Sequence, residues 1–218
     1  MLLRHRNLNL LLKELLQSAE QQATYPFYKD IKTAGYLVEV ERLYKEIGGL
    51  GERLPFMNEA PELQYKGIII ELDDELYFNR YRAIALRSPL YEDMPWFPLA
   101  NYKLYCRRYE NECIKAGLTT GKWTSASSEI FFGNSSEAGD FFGNGSAEWK
   151  LKAFTDFIKD LTPLCFKVKL LRLSIYDELL LSGSRVSLGK ILLSPKKEHV
   201  PGFIKYIERR ISTLGGLN

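Results

Sequence analysis

Residues 67–86 read GIIIELDDELYFNRYRAIAL. The three consecutive isoleucines Ile68, Ile69 and Ile70 are β-branched and predict a central strand covered on both faces, within Leu63 to Asp73. The strand runs straight into Glu71, Asp73, Asp74 and Glu75. Side chains two apart on a strand share a face, so Glu71 and Asp73 project together, roughly 6 to 7 Å apart, while Leu72 faces the other way. Two neighbouring carboxylates repel unless something positive compensates them. A hard divalent cation such as Mg²⁺ or Mn²⁺ takes oxygen ligands. Such an ion polarises a phosphodiester and lowers the pKa of an attacking water. The plainer alternative is a solvated acidic turn in which Asp74 and Glu75 cap the next helix.

Beyond the acids come Arg80, Arg82 and Arg87, with Tyr77, Phe78 and Tyr81 among them. A helix from Phe78 to Leu86 is expected, stopping before Pro89. Arg80 and Arg87, seven apart, would share one of its faces and Arg82 would lie on another. The guanidinium fork donates two hydrogen bonds at once and suits phosphate. The competing role for these arginines is ion pairing with the acidic turn.

Working outward, leucines at helical spacing predict an amphipathic helix over Leu8 to Ala23. Asp30 is placed to cap a second helix reaching Ile47, ended by Gly48, Gly49 and Gly51. Asn101 to Ala116 and Glu148 to Leu161 have helical periods. The alternation in Phe166 to Tyr176 predicts a strand, Ser187 to Leu193 a short strand, and Pro201 to Leu214 a C-terminal helix with Lys205, Arg209 and Arg210 exposed. Gly117 to Gly145 is rich in Gly, Ser, Thr and Asn and holds a short repeat, FFGNSSEAGD followed by FFGNGSAEWK. It is expected to be a surface loop anchored by phenylalanines, or a flap facing a substrate. On the helix from Glu148, Lys150 and Lys152 stand beside Trp149 and are candidate phosphate contacts, or solvated lysines beside a core tryptophan.

The 218 residues carry 30 Lys+Arg and 27 Asp+Glu, a net charge of +3. With 45% hydrophobic and 26% charged residues, this is a folded globular composition rather than a disordered or disulfide-stapled one. So small a charge argues for a nucleic-acid partner only if charge is segregated locally. Three widely spaced cysteines and two histidines near opposite ends form neither a disulfide framework nor a zinc site, and point to a reduced cytoplasmic setting. No uncharged apolar run can span a bilayer, so a membrane role is not expected.

The string Glu71-Leu72-Asp73-Asp74-Glu75-Leu76-Tyr77-Phe78 resembles the ELDGxQHF-type strand-to-helix motif of the PD-(D/E)xK nuclease superfamily, in its very-short-patch-repair-like branch. The resemblance implies an α/β, restriction-endonuclease-like mixed sheet flanked by helices, with the acids on a hairpin. It covers about Glu39 to Leu86 and Glu148 to Tyr176. The chain is then one nuclease-like domain, with a helical part over about 1–50 and an insertion over about 88–147. Glu71 matches the motif's Glu and Asp73 its Asp, both binding Mg²⁺ or Mn²⁺. Tyr77 takes the place of the histidine and Asp74 that of the glycine. An earlier acid is expected on the preceding hairpin strand, with Glu62 first and Glu59 second. A further acid from an upstream helix would be Glu39 or Glu41. Lys167 to Arg172 resembles the closing strand.

The implied function is metal-dependent phosphodiester hydrolysis on DNA, in prokaryotic defence or repair. Arg80, Arg82, Arg87, Lys150 and Lys152 would hold the phosphates, and a multi-subunit system would supply any protein partner. The alternative, favoured by Tyr77 and Asp74, is a catalytically inactive nuclease-fold subunit that binds protein or nucleic acid. A third possibility is an unrelated α/β interaction protein in which ELDDE merely caps a helix.

Overall fold

The computed structural model describes residues 2–15, 23–65, 67–181 and 183–216. In chain order it contains α1 (Leu2–Leu15), α2 (Tyr28–Thr33), α3 (Leu37–Glu46), β1 (Gln64–Tyr65), β2 (Ile68–Asp73), α4 (Arg80–Ala85), α5 (Leu99–Arg108), α6 (Glu110–Thr120), α7 (Ala126–Phe132) and α8 (Ala147–Asp160). There follow α9 (Thr162–Phe166), β3 (Lys169–Ser174), β4 (Glu178–Leu181), β5 (Ser184–Ser187), α10 (Leu188–Leu193) and α11 (Val200–Ser212). The architecture is mixed α/β. It divides into two compact units, one built from Met1–Thr24, Ala60–Asp74 and Lys167–Asn218, the other from Tyr25–Glu59 and Glu75–Phe166. No shift of composition marks these boundaries, and the sequence predicts a single domain.

The first unit is organised by β2. Every residue of this strand is buried, as the isoleucine run requires. It is the middle strand of three, antiparallel to β1 and parallel to β3, with Ile68 opposite Lys169 and Glu71 opposite Arg172. The hairpin with β1 turns at Gly67, whose φ of 74° lies in the left-handed region where a side chain would clash with the backbone. On α1, which begins before the expected Leu8, Leu8, Leu11 and Leu12 are buried; residues 16–22 of the expected helix lie outside the described residues. The Asn7 side chain donates to the Leu192 carbonyl at 2.7 Å, tying α1 to α10.

The stretch 187–193, expected as a strand, is instead the helix α10, entered through a Ser187 cap. Its Leu188, Ile191 and Leu192 bury at i, i+3 and i+4, a helical spacing. The strands lie just before it, in the β4–β5 hairpin. On α11, Phe203, Tyr206 and Ile207 are buried, and the Tyr206 hydroxyl donates to Asp177 at 2.5 Å.

The second unit is helical. On α8, Trp149, Ala153, Phe154, Phe157 and Ile158 are all buried, so this helix is enclosed by its neighbours. Tyr44 of α3 makes edge contacts with Phe132 and Phe154, at ring centroids of 5.4 and 5.6 Å. Gly117 lets α6 lie against Trp149, since an added Cβ there would sit 2.8 Å from the indole. The single helix expected from Asp30 to Ile47 is broken into α2 and α3 around Gly35, φ 83°. Asp30 stands inside the first turn of α2 and accepts the Phe27 amide at 2.8 Å, rather than being the cap residue itself. The expected loop over 117–145 contains α7. Its two repeat copies are clipped together by Asn144, whose Nδ2 donates to the carbonyls of Phe132 and Asn134 at 2.7 and 2.8 Å.

Candidate functional site

The parallel ladder places Arg172 directly across from Glu71. Its Nη1 donates to Asp73 Oδ1 at 2.7 Å and stands 4.0 Å from Glu71 Oε2. Relative exposure of the three side chains is 1% for Arg172, 0% for Asp73 and 9% for Glu71. Glu71 and Asp73 thus share a face, as their spacing predicts. The positive group between them belongs to the protein. Ionised side chains this deeply buried are tolerated only when paired and hydrogen-bonded, and one guanidinium serves both acids. The carbonyl of Arg172 accepts from Arg210 Nη2 at 3.0 Å, which fixes β3 to α11.

The remaining acids are engaged elsewhere. Glu62 precedes β1, is exposed, and meets His5 Nδ1 at 3.0 Å. Glu59 belongs to the second unit, where it meets Lys159 at 3.1 Å. Glu39, also in the second unit, accepts from Arg42 Nε and Nη2, both at 2.7 Å, and from the Ser88 hydroxyl at 2.5 Å. The Arg42 hydrogen bonds hold its carboxyl below the usual carboxylate range. Glu41 is exposed on α3. Among the described residues no three His, Cys, Asp or Glu side chains come together in a group that could hold a metal ion. The three acids expected to hold Mg²⁺ or Mn²⁺ stand beside bases of the chain: Asp73 and Glu71 beside Arg172, and Glu62 beside His5. Asp73 is committed to Arg172, and Glu62 does not complete a cage with it.

Tyr77, in a 3-10 turn over Glu75–Tyr77, presents its ring to Lys152, whose Nζ lies 3.4 Å from the centroid. The next helix starts late because Asn79 is its cap, accepting from the amides of Tyr81 and Arg82 at 3.0 and 3.1 Å. Asp74 and Glu75 are thus not the capping residues. Arg87 falls beyond the end of α4, so it and Arg80 do not share a helix face.

Four of the five expected phosphate-binding side chains are taken up inside the second unit. Arg80 makes a two-pronged pair with Glu110, at 2.9 and 3.0 Å, and stacks 3.6 Å from the centre of Phe141. Arg82 is buried and donates to Asp160 at 2.6 Å and to the Tyr91 hydroxyl at 3.1 Å. Lys150 is buried, donates to Asn144 Oδ1 at 2.5 Å, and has its pKa lowered by desolvation. Lys152 adds Asp156, 3.8 Å away, to its contact with Tyr77. Arg87 is exposed and pairs with no acid among the described residues. Arg80 and Arg82 are ion-paired, but with acids of α6 and α8 rather than with the acidic turn that the competing role names.

Among the described residues no helix is long and apolar enough to cross a membrane. No curated protein and no solved structure matches the chain. One family model matches over residues 42–194, a span that takes in β2, both buried ion-pair clusters and β3. The chain therefore belongs to DUF7255, a family of unknown function.

Proposed function

We propose that this chain is a nuclease-fold protein without cutting activity, serving as an interaction subunit that binds nucleic acid. The observation that carries the reading is Arg172, whose guanidinium stands between Glu71 and Asp73 and supplies the positive charge a catalytic cation would otherwise bring. The acid-bearing hairpin, the mixed pairing of the sheet and the parallel closing strand support a restriction-endonuclease-like architecture. A DNA partner is argued by analogy with that fold. A second reading, a live metal-dependent endonuclease, is favoured by one feature: Glu71 and Asp73 lie side by side at the C-terminal end of a strand in a parallel pair.

The test uses supercoiled plasmid with Mg²⁺ or Mn²⁺ and labelled duplex DNA without metal. The expected result is no nicking by the natural protein or by Glu71→Ala, with duplex binding by both. Nicking that disappears in Glu71→Ala would overturn the inactive reading and establish the metal-dependent one. An absence of duplex binding would remove the nucleic-acid partner.

A further inference from the structure

The near-neutral charge of the chain is distributed unevenly between interior and surface. Among the described residues the first unit buries four acids, Glu71, Asp73, Asp74 and Asp177, but only one base, Arg172. The second unit buries two of each sign: Arg82 and Lys150 with Asp156 and Asp160. Acids hidden inside the first unit leave its basic residues in the majority outside. Its solvent-facing acids among the described residues are Glu62, Glu178, Glu198 and Glu208. The first three are already partnered by His5, Arg185 and Lys196.

The surplus is concentrated near the C-terminus. From Lys190 to Arg210 the chain has six Lys or Arg and two Glu. Lys190, Lys197, Lys205 and Arg209 are exposed, and none of them pairs with an acid among the described residues. On α11, Lys205 and Arg209 stand at i and i+4, on the side opposite the buried Phe203, Tyr206 and Ile207. The outer face of this helix continues through Glu208 and Ser212, both exposed, and shows no exposed large apolar side chain. A membrane-surface helix would need such residues to enter the lipid boundary. A hydrophilic face carrying two bases and one acid instead suits the phosphate backbone of a nucleic acid.

We infer that the outer face of α11, with Lys205 and Arg209 at its centre and Lys197 leading into it, is the surface on which this protein holds duplex DNA by its phosphates. The inference rests on the proposed nucleic-acid reading. It moves the contact from the expected Arg80, Arg82, Arg87, Lys150 and Lys152 of the second unit to the first. Recognition through phosphates alone is independent of sequence and weakens with salt.

The experiment is fluorescence anisotropy with two labelled duplexes of unrelated sequence, titrated at several salt concentrations. It compares the natural chain, Lys205→Ala/Arg209→Ala, Lys205→Arg/Arg209→Lys and Arg80→Ala/Lys152→Ala, with circular dichroism checking the fold. The alanine pair on α11 should weaken both duplexes alike and reduce the slope of log affinity against log salt by about two. The charge-conserving pair should bind as the natural chain does, and Arg80→Ala/Lys152→Ala should keep the full slope. If the natural chain binds but the α11 pair is unchanged, this inference is wrong while the nucleic-acid reading stands. If the natural chain binds neither duplex, both fall. If the α11 pair loses binding to phosphatidylserine vesicles but not to DNA, the face belongs to a membrane partner and the inference is overturned.

Discussion

Arg172→Met is the most informative perturbation of the first unit. The substitution keeps the length and much of the volume of the side chain but removes its charge. Asp73, with no exposure, and Glu71, with 9%, would then share a buried strand face without their guanidinium. Removing one partner of a buried ion pair costs about 3–5 kcal/mol, because the stranded charge is neither solvated nor neutralised. Set against the ~5–15 kcal/mol that holds a typical domain together, this is a large fraction. With a urea m-value of about 2 kcal/mol/M, the midpoint should fall by about 1.5–2.5 M.

The readouts can be separated by unit. Trp96, Trp123 and Trp149 all lie in the second unit, so their fluorescence reports on it, whereas far-ultraviolet circular dichroism reports on both. The shift should appear in circular dichroism. A second variant, Arg172→Met with Glu71→Gln and Asp73→Asn, removes every charge from the cluster and should recover most of the loss. A cost below about 1 kcal/mol for Arg172→Met, or no recovery in the triple variant, would refute the view that this guanidinium holds the two acids.

Two further outcomes are expected in the second unit. Desolvation lowers the pKa of Lys150 from its ordinary 10.5, so the folded chain releases this proton before the unfolded chain does. Its contribution to stability should therefore rise as the pH climbs toward 10.5, and the difference in unfolding free energy between the natural chain and Lys150→Met should grow over that window; a difference that is flat or falls with pH contradicts the assignment. Cys165 has its thiol pushed up to about 12 by burial and by the Asp30 carboxylate, and Cys106 and Cys113 are buried. At pH 8 about one Cys165 thiol in ten thousand is ionised, so iodoacetamide should label the folded protein very slowly and the urea-unfolded protein at all three cysteines; prompt labelling of Cys165 in the folded state would be the contrary result.

What could be read from the sequence follows the range of the forces involved. The isoleucine run, the periods of α8 and α11 and the alternation of β3 are local patterns, and each element stands where its pattern lies. The same-face placement of Glu71 and Asp73 is also local, since it follows from the strand repeat. Their compensation is not local. Arg172 is 99 residues from Asp73, and only the pairing of β2 with β3 brings them together. Asp160, the partner of Arg82, is 78 residues away and is likewise brought to it only by the tertiary fold. At α10 the local pattern itself is ambiguous. LGKILL is short and apolar enough to satisfy a strand, and the signal that decides it is the serine cap at Ser187. Asn79 is a second cap of the same kind, standing directly after a run of acids that could also serve as caps.

The position of Arg172 also has a bearing on the order in which the protein forms. During synthesis the whole of the second unit, ending at Phe166, is complete before β3 exists. Until Arg172 has left the ribosome, β2 lacks its parallel neighbour and its two carboxylates lack their guanidinium, which opposes premature burial of the isoleucine strand. The first unit can therefore be completed only once its last segment, Lys167–Asn218, is available to bring Arg172 to the acid pair. A fragment ending before Lys167 should accordingly keep β2 exposed and be a good substrate for proteases and chaperones.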